Sequence, residues 1–181
     1  MQEKTNTFIT KRNAYIEEKR IFVCIDETSF GRNGIQAYGW SPIGQRLIIN
    51  PSLPNITTTA ISAITSDELL NTMFFKGGCN SIIFLDFLKS LDLPEYSVIL
   101  MDNASIHRSK YITNYCKLKN IEILYTPPYS PWFNGIEYCF SIIKRYYYQN
   151  QDQNIQETFN SLTIENIKAF YNKAITCNGL Y

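Results

Sequence analysis

The sequence lacks the features that mark several protein classes. It has a single histidine, His107, and none of its five cysteines forms a Cys-x-x-Cys pair. A histidine-rich metal site, a zinc ribbon and a disulfide framework are therefore not expected. The odd number of cysteines is typical of buried free thiols in a reducing compartment. The net charge of +1 gives no overall basic character, so any contact with nucleic acid must come from local groups of Lys and Arg.

Long apolar runs are also missing. No stretch approaches the roughly 18 apolar residues that cross a bilayer. Residues 1–20 are polar and contain no secretory apolar segment. These absences favour a cytoplasmic or nuclear protein. The 181 residues, of which 45% are hydrophobic, are enough for one folded domain with a sizeable core.

Two apolar runs end on a carboxylate. Ile21 to Ile25 is followed by Asp26, and Val98 to Met101 is followed by Asp102. Each run predicts a buried strand with an acid at its C-terminal tip. A third acid, Glu137, stands at the start of a predicted helix that has apolar residues at steps of three and four. Two strand tips and a helix start that each carry an acid are what a two-metal phosphoryl-transfer site needs.

The rest of the chain predicts a mixed α/β arrangement. β-Branched and aromatic runs predict further strands at Gln36 to Trp40, Leu47 to Ile49, Asn55 to Thr65, Asn71 to Lys76 and Ile121 to Tyr125. Helical patterns cover Ser81 to Leu91, Ser105 to about Lys119, Asn134 to about Tyr148, Ile155 to Phe159 and Ile164 to Cys177. A β-meander followed by βαβα units gives a mixed sheet flanked by helices.

Four motifs then occur in order along the chain: D-E-T-S-F from Asp26, D-N-A-S-I-H from Asp102, T-P-P-Y-S-P from Thr126, and N-G-I-E ending at Glu137. In these motifs the chain resembles the catalytic domain of the mariner superfamily of DDE transposases and of its bacterial insertion-sequence relatives. The 34 residues between Asp102 and Glu137 fit one subgroup. The family commonly has a proline where this chain has Gly135, which predicts a less rigid helix start.

The resemblance implies an α/β, ribonuclease-H-like fold with a mixed five-stranded sheet flanked by helices. In that fold the first strand lies beside the fourth, which would bring Asp26 and Asp102 together under Glu137. It also implies two Mg²⁺ or Mn²⁺ ions held by these three acids, with Asp26 bridging both. Water would cleave a DNA strand, and the freed 3′-OH would then attack target DNA.

The resemblance also predicts an organisation of the chain and its partners. Residues 21–150 would form the catalytic domain, and residues 151–181 a helical extension packed on the same domain. Residues 1–20 could be a short helix or a linker, and a linker remnant is favoured. The family has helix-turn-helix DNA-binding modules before this point; here such a module would act in trans or be lost. The expected partner is DNA, and paired transposon ends imply a homodimer.

Each candidate residue has a simpler interpretation. Asp26 and Asp102 could be turn residues, and Glu137 could form a capping box with Asn134 instead of binding a metal. Glu27 is ranked as secondary because it would face the other side of its strand. His107 could contact a phosphate, orient Asp102 or be purely structural. Candidates for DNA contact that could equally be solvated surface residues are Arg108, Lys110, Lys144 and Arg145.

Two other functions stay open from the sequence. The chain could be a catalytically idle or domesticated transposase fragment that binds DNA or a protein partner. It could also be a different nuclease of the same fold, such as a resolvase-like enzyme. The motifs that begin at Thr126 and end at Glu137 count against this second alternative.

Overall fold

The fold is given by a computed structural model that describes residues 2–31, 41–45, 57–150 and 154–178. The strands predicted at 36–40 and 47–49 lie outside these residues. The five strands are β1 (Phe22–Phe30), β2 (Thr58–Ile64), β3 (Leu69–Lys76), β4 (Val98–Met101) and β5 (Glu122–Tyr125). The α-helices are α1 (Gln2–Glu17), α2 (Ser81–Ser90), α3 (Lys110–Leu118), α4 (Gly135–Gln149), α5 (Ile155–Thr158) and α6 (Ile164–Thr176).

The five strands form one mixed sheet in the order β3-β2-β1-β4-β5. The pairs β1–β2 and β2–β3 are antiparallel, whereas β1–β4 and β4–β5 are parallel. The predicted fold class is therefore confirmed, including the position of the first strand beside the fourth. Helices cover both faces, which explains why the central strands read as continuous apolar runs.

Side chains of the central strands alternate between two buried clusters. Phe22 and Cys24 of β1 pack with α1, α4 and α6, whereas Val23 and Ile25 pack with α2 and α3. In β4, Leu100 belongs to the first cluster, which is the α4 side of the sheet. Because side chains alternate along a strand, residues two positions after Cys24 and Leu100 start out on that same side.

The position of Asp26 differs from the sequence prediction. Asp26 does not end β1; the strand continues to Phe30 because residues 24–30 pair with β2. The parallel pairing with β4 is shorter and ends at the Cys24–Leu100 pair. Two residues beyond that pair come Asp26, still on β1, and Asp102, directly after the end of β4, at the point where the two strands separate.

The interpretation of residues 1–20 as a linker remnant is wrong for residues 2–17, which form α1. The helix is anchored by only two buried side chains, Phe8 and Arg12, one turn apart. The Phe8 ring lies 4.8 Å from that of Phe133, and Arg12 donates a 2.5 Å hydrogen bond to the carbonyl of Cys177. So narrow an apolar stripe, with an arginine as one of its two members, is not visible as a helical pattern in the sequence.

Helices α3 and α4 begin next to residues that affect the site. Helix α3 begins at Lys110 with Ser109 as its cap, so the helix start predicted at Ser105 is wrong, and residues 105–108 form a turn instead. Helix α4 begins at Gly135, where a Cβ would lie 3.1 Å from the Cα of Tyr171 in α6. Glycine therefore lets α6 approach the start of α4 closely. Among the described helices, none is long and apolar enough to cross a membrane.

Candidate active site

A cleft of about 380 Å³ opens at the point where β1 and β4 separate. Its lining includes all three predicted acids, Asp26, Asp102 and Glu137, together with Asn134. The segment from Thr126 to Pro131, which leads from β5 toward α4, forms another wall. Residues from two strands and one helix thus meet in one cleft, as the sequence predicts.

Asp26 is the buried member of the three acids. It is 9% exposed, and its Oδ1 accepts a 2.8 Å hydrogen bond from the backbone N–H of Glu27. Burial, followed by the negative charge of Glu137, raises the pKa of Asp26 to about 8. Both effects disfavour the ionised form, because the charge loses water and gains a like-charged neighbour.

The surroundings of Asp102 have the opposite effect on its pKa. Its side chain is 54% exposed, and its Oδ1 accepts a 2.9 Å hydrogen bond from the backbone N–H of Ala104 and lies 2.7 Å from His107 Nδ1. The same Nδ1 lies 3.2 Å from the backbone carbonyl oxygen of Asp102. The hydrogen bond from His107 lowers the pKa of Asp102 below its ordinary value. This carboxylate is therefore ionised and oriented by the protein itself.

Glu137 stands in the first turn of α4 and is half-buried. The capping box considered from the sequence is not formed, since Asn134 makes no side-chain cap hydrogen bond. Asn134 instead donates from Nδ2 to the carbonyl of Ile25 at 3.1 Å, which ties the start of α4 to β1 beside Asp26. The Asn134 Oδ1 atom is buried and has no hydrogen-bond partner among the described residues.

His107 is 1% exposed, and its ring lies 4.4 Å from that of Phe84. Nδ1 faces Asp102, and Nε2 lies 3.1 and 3.2 Å from the two carboxylate oxygens of Glu27. Burial alone would lower the pKa of His107, but the hydrogen bonds to Asp102 and Glu27 raise it to about 10. With both ring nitrogens engaged inside the protein, the geometry fits orientation of Asp102, which is one of the three roles considered for His107 from the sequence, and its contact with a phosphate stays a prediction.

The partner of His107 could not be found from the sequence. Glu27 and His107 are 80 residues apart, and Glu27 had been ranked as secondary because it faces away from Asp26. The only available signal was the single histidine of the chain, five residues after an acid.

The predicted basic residues lie outside the cleft: Arg108, Lys110 and Arg145 are exposed and Lys144 is half-buried. None of the four lines the cleft, and their contact with DNA stays a prediction.

The donors in the cleft suit a hard cation. Within the described ranges, no group of three His, Cys, Asp or Glu side chains is close enough to hold a metal ion as it stands. The cleft nevertheless supplies three carboxylates and an unpaired amide oxygen, which are the ligand types that Mg²⁺ and Mn²⁺ prefer. A cation would also offset the burial and the nearby charge of Glu137, which together raise the pKa of Asp26. The residues therefore fit a divalent metal by chemistry.

One protein family matches the part of the chain that contains the cleft. A family described as "DDE superfamily endonuclease" matches residues 21–160, which is most of the chain. That range includes all three acids and Asn134. No curated protein sequence matches the chain.

Solved structures share the fold. The Mos1 strand transfer complex matches with a TM-score of 0.62 at 16% identity, covering 100% of this chain and 62% of the other. The Mos1 mariner paired-end complex with Mn matches with a TM-score of 0.60 at 18% identity, covering 100% and 63%. The catalytic domain of the Mos1 mariner transposase gives 0.56 at 15% identity, covering 100% and 94%. The chain thus spans less than two thirds of the transposase in the two complexes and nearly all of the isolated catalytic domain.

Proposed function

The chain belongs to the DDE superfamily endonucleases, and from that premise we propose that it is a transposase catalytic domain that cleaves DNA strands and joins them to target DNA. The observation that carries the proposal is the convergence of Asp26, Asp102 and Glu137 on one cleft from three separate elements. Such a cluster of acids is costly to build without a cation, as the raised pKa of Asp26 indicates.

The proposed chemistry is two phosphoryl transfers. In the first, a water oxygen attacks a phosphorus of the DNA backbone, the P–O3′ bond breaks, and the 3′-oxygen leaves as a hydroxyl. In the second, that 3′-OH attacks a phosphorus of target DNA and displaces its 3′-oxygen. Two bound Mg²⁺ or Mn²⁺ ions would supply Lewis acidity to the attacking and leaving oxygens. Asp26, Asp102 and Glu137 would hold these ions.

Neighbouring residues of the protein position two of the three acids. His107 and the Ala104 N–H fix Asp102, while the Asn134 amide holds the start of α4, and hence Glu137, beside β1. The segment from Thr126 to Pro131 contains three of the chain's seven prolines, which restrict the backbone that leads into the cleft wall. The alternative of a catalytically idle fragment is not favoured, because all three acids are present and Glu137 is not used as a helix cap.

The DNA partner is proposed by analogy with the neighbouring structures, which include complexes with a transposon end and a strand transfer complex. Arg108, Lys110, Lys144 and Arg145 would contact its phosphates. Pairing of two transposon ends would require two copies of the chain, hence a homodimer, and a separate module could supply further DNA affinity. Action on DNA would place the protein in the cytoplasm or the nucleus.

The proposal is tested by nicking of a DNA duplex in Mn²⁺ or Mg²⁺. Asp102→Asn and Glu137→Gln are each expected to abolish nicking, because each removes one ionised ligand while nearly preserving side-chain shape. Asp86→Asn is the matched control, since Asp86 is a surface carboxylate of α2 with only a 3.7 Å pair to Lys89. Thermal unfolding of each variant would establish that the fold is kept. Full nicking activity in either active-site variant would contradict the proposal.

A further inference from the structure

His107 connects the carboxylate of Asp102, which lines the cleft, with that of Glu27, which does not. Asp102 comes two residues after Leu100, on the α4 side, whereas Glu27 comes two residues after Ile25, on the side of α2 and α3. The His107 ring reaches Asp102 Oδ1 at 2.7 Å with Nδ1 and Glu27 at 3.1 Å with Nε2. The ring packs on Phe84, so it is fixed from its face as well as from both nitrogens.

His107 Nδ1 contacts both the backbone and the side chain of Asp102. It lies 3.2 Å from the Asp102 carbonyl oxygen and 2.7 Å from Oδ1, which also accepts the Ala104 N–H, so among the described residues Oδ2 is the oxygen that is available to a cation. These contacts together restrict the orientation of the carboxylate. Hydrogen-bonded outer partners of this kind orient a metal ligand, and their loss commonly weakens metal binding.

Glu27 is the hydrogen-bond acceptor for the second ring nitrogen of His107, Nε2. Nε2 is buried with the rest of His107, so removing its acceptor would leave a buried polar group without a partner. The ring would then gain by turning or shifting toward another acceptor, and Nδ1 would move from Asp102. The Glu27 side chain is 14% exposed and points away from the cleft, so it does not itself line the metal-binding space.

We propose that Glu27 is a positioning residue, which acts through His107 to fix the carboxylate of Asp102 for metal binding. The inference rests on the proposed function, because it assumes that Asp102 binds a divalent cation. It assigns no contact with metal or DNA to Glu27. The hydrogen bond from the Glu27 backbone N–H to Asp26 is preserved when only the side chain changes, so the two effects are separable.

The test is a double-mutant cycle on Mn²⁺ affinity, measured by calorimetry on the full chain with a DNA duplex present at a temperature where nicking is negligible. Glu27→Ala is expected to weaken Mn²⁺ binding about 10-fold. Glu27→Gln keeps an acceptor oxygen for Nε2–H and should lose less. In a His107→Ala background, Glu27→Ala should have no further effect, because the intermediary is already gone. Asp86→Asn again serves as the carboxylate control and should bind Mn²⁺ like the wild type.

A spectroscopic readout follows the same contact without metal. His107 is the only histidine, so a ¹⁵N-histidine-labelled sample gives the imidazole signals of this ring alone. Glu27→Gln should shift the Nε2 signal, and Asp102→Asn should shift the Nδ1 signal. Glu27→Gln also covers the case in which Glu27→Ala fails to fold, since it keeps the side-chain shape.

The outcomes are distinct. Unchanged Mn²⁺ affinity in the Glu27 variants, or an equal loss in the wild-type and His107→Ala backgrounds, would overturn the positioning role and leave the proposed function standing. Unchanged Mn²⁺ binding in Asp102→Asn, or no binding by the wild type, would overturn the proposed function and the inference with it.

Discussion

The two aspartates of the cleft are held by contrasting surroundings. Asp102 Oδ1 is contacted by His107 and by the backbone N–H of Ala104, and the pKa of Asp102 is lowered. Asp26 is buried, faces the charge of Glu137, and has its pKa raised to about 8. One half of the site, Asp102, is thus oriented by the protein alone. The other half, Asp26 with Glu137, holds negative charge that the protein does not compensate. Under the proposed function, a bound cation would therefore compensate charge chiefly on the side of Asp26 and Glu137.

The largest expected effect on this difference between the two aspartates comes from Asp26→Asn in metal-free protein. A carboxyl with a pKa near 8 keeps its proton in the folded state after the unfolded chain has lost it at about pH 4. Stability of the wild type should therefore fall as the pH rises from about 4 through about 8, by up to about 1.4 kcal/mol per pH unit. Asp26→Asn should remove this decline and be more stable than the wild type at pH 8. Urea unfolding with EDTA across this range measures it, and parallel profiles for the two proteins would contradict it.

Asn134→Ala weakens the attachment of the start of α4, which carries Glu137, to β1, and it leaves Asp102 unchanged. It removes the hydrogen bond to the buried carbonyl of Ile25, and it is expected to lower the free energy of unfolding by about 2 kcal/mol. The ¹⁵N signals of His107 should stay unchanged, because they report the Asp102 half. Denaturant unfolding and the histidine spectrum together check this; a displaced His107 signal would show that the two halves are not separate.

Asp102→Asn gives the smallest change in stability and the opposite sign to Asp26→Asn. It removes an ionised acceptor from His107, and because Asp102 is half exposed the expected loss is only about 1 kcal/mol at pH 7. A lowered pKa gives stability that is present above about pH 4 and lost as the pH falls further. The difference from the wild type should therefore shrink in acid. Unfolding measured at pH 7 and pH 3 tests this, and a loss of equal size at both values would refute the charge-assisted contact.

Much of the sheet could be predicted because its central strands are apolar on both faces. The runs before Asp26 and Asp102 and the helix that carries Glu137 are strong local patterns, and all appear in the structure. Position along β1 was harder to predict. Polar residues after Ile25 suggested that the strand ends there, whereas pairing with the distant β2 carries it to Phe30. Such pairing is decided by tertiary contacts and not by local propensity.

The supporting residues of the site were less accessible to sequence reasoning than its acids. Glu27 and His107 meet only through folding across 80 residues, and Asn134 was weighed as a helix cap although its amide binds β1. Gly135 was interpreted as a loss of rigidity, whereas its lack of a Cβ accommodates the backbone of α6. In each of these cases the decisive partner lies on an element that is remote in sequence.

The proposed function depends on a divalent metal site formed by Asp26, Asp102 and Glu137. Calorimetric titration of Mn²⁺ into the wild type and into the Asp26→Asn/Asp102→Asn double variant, each without and with a DNA duplex, tests this site. We expect binding by the wild type, strengthened by DNA phosphates, and loss of that binding in the double variant. Equal binding by the two proteins, or no binding by the wild type even with DNA, would contradict it.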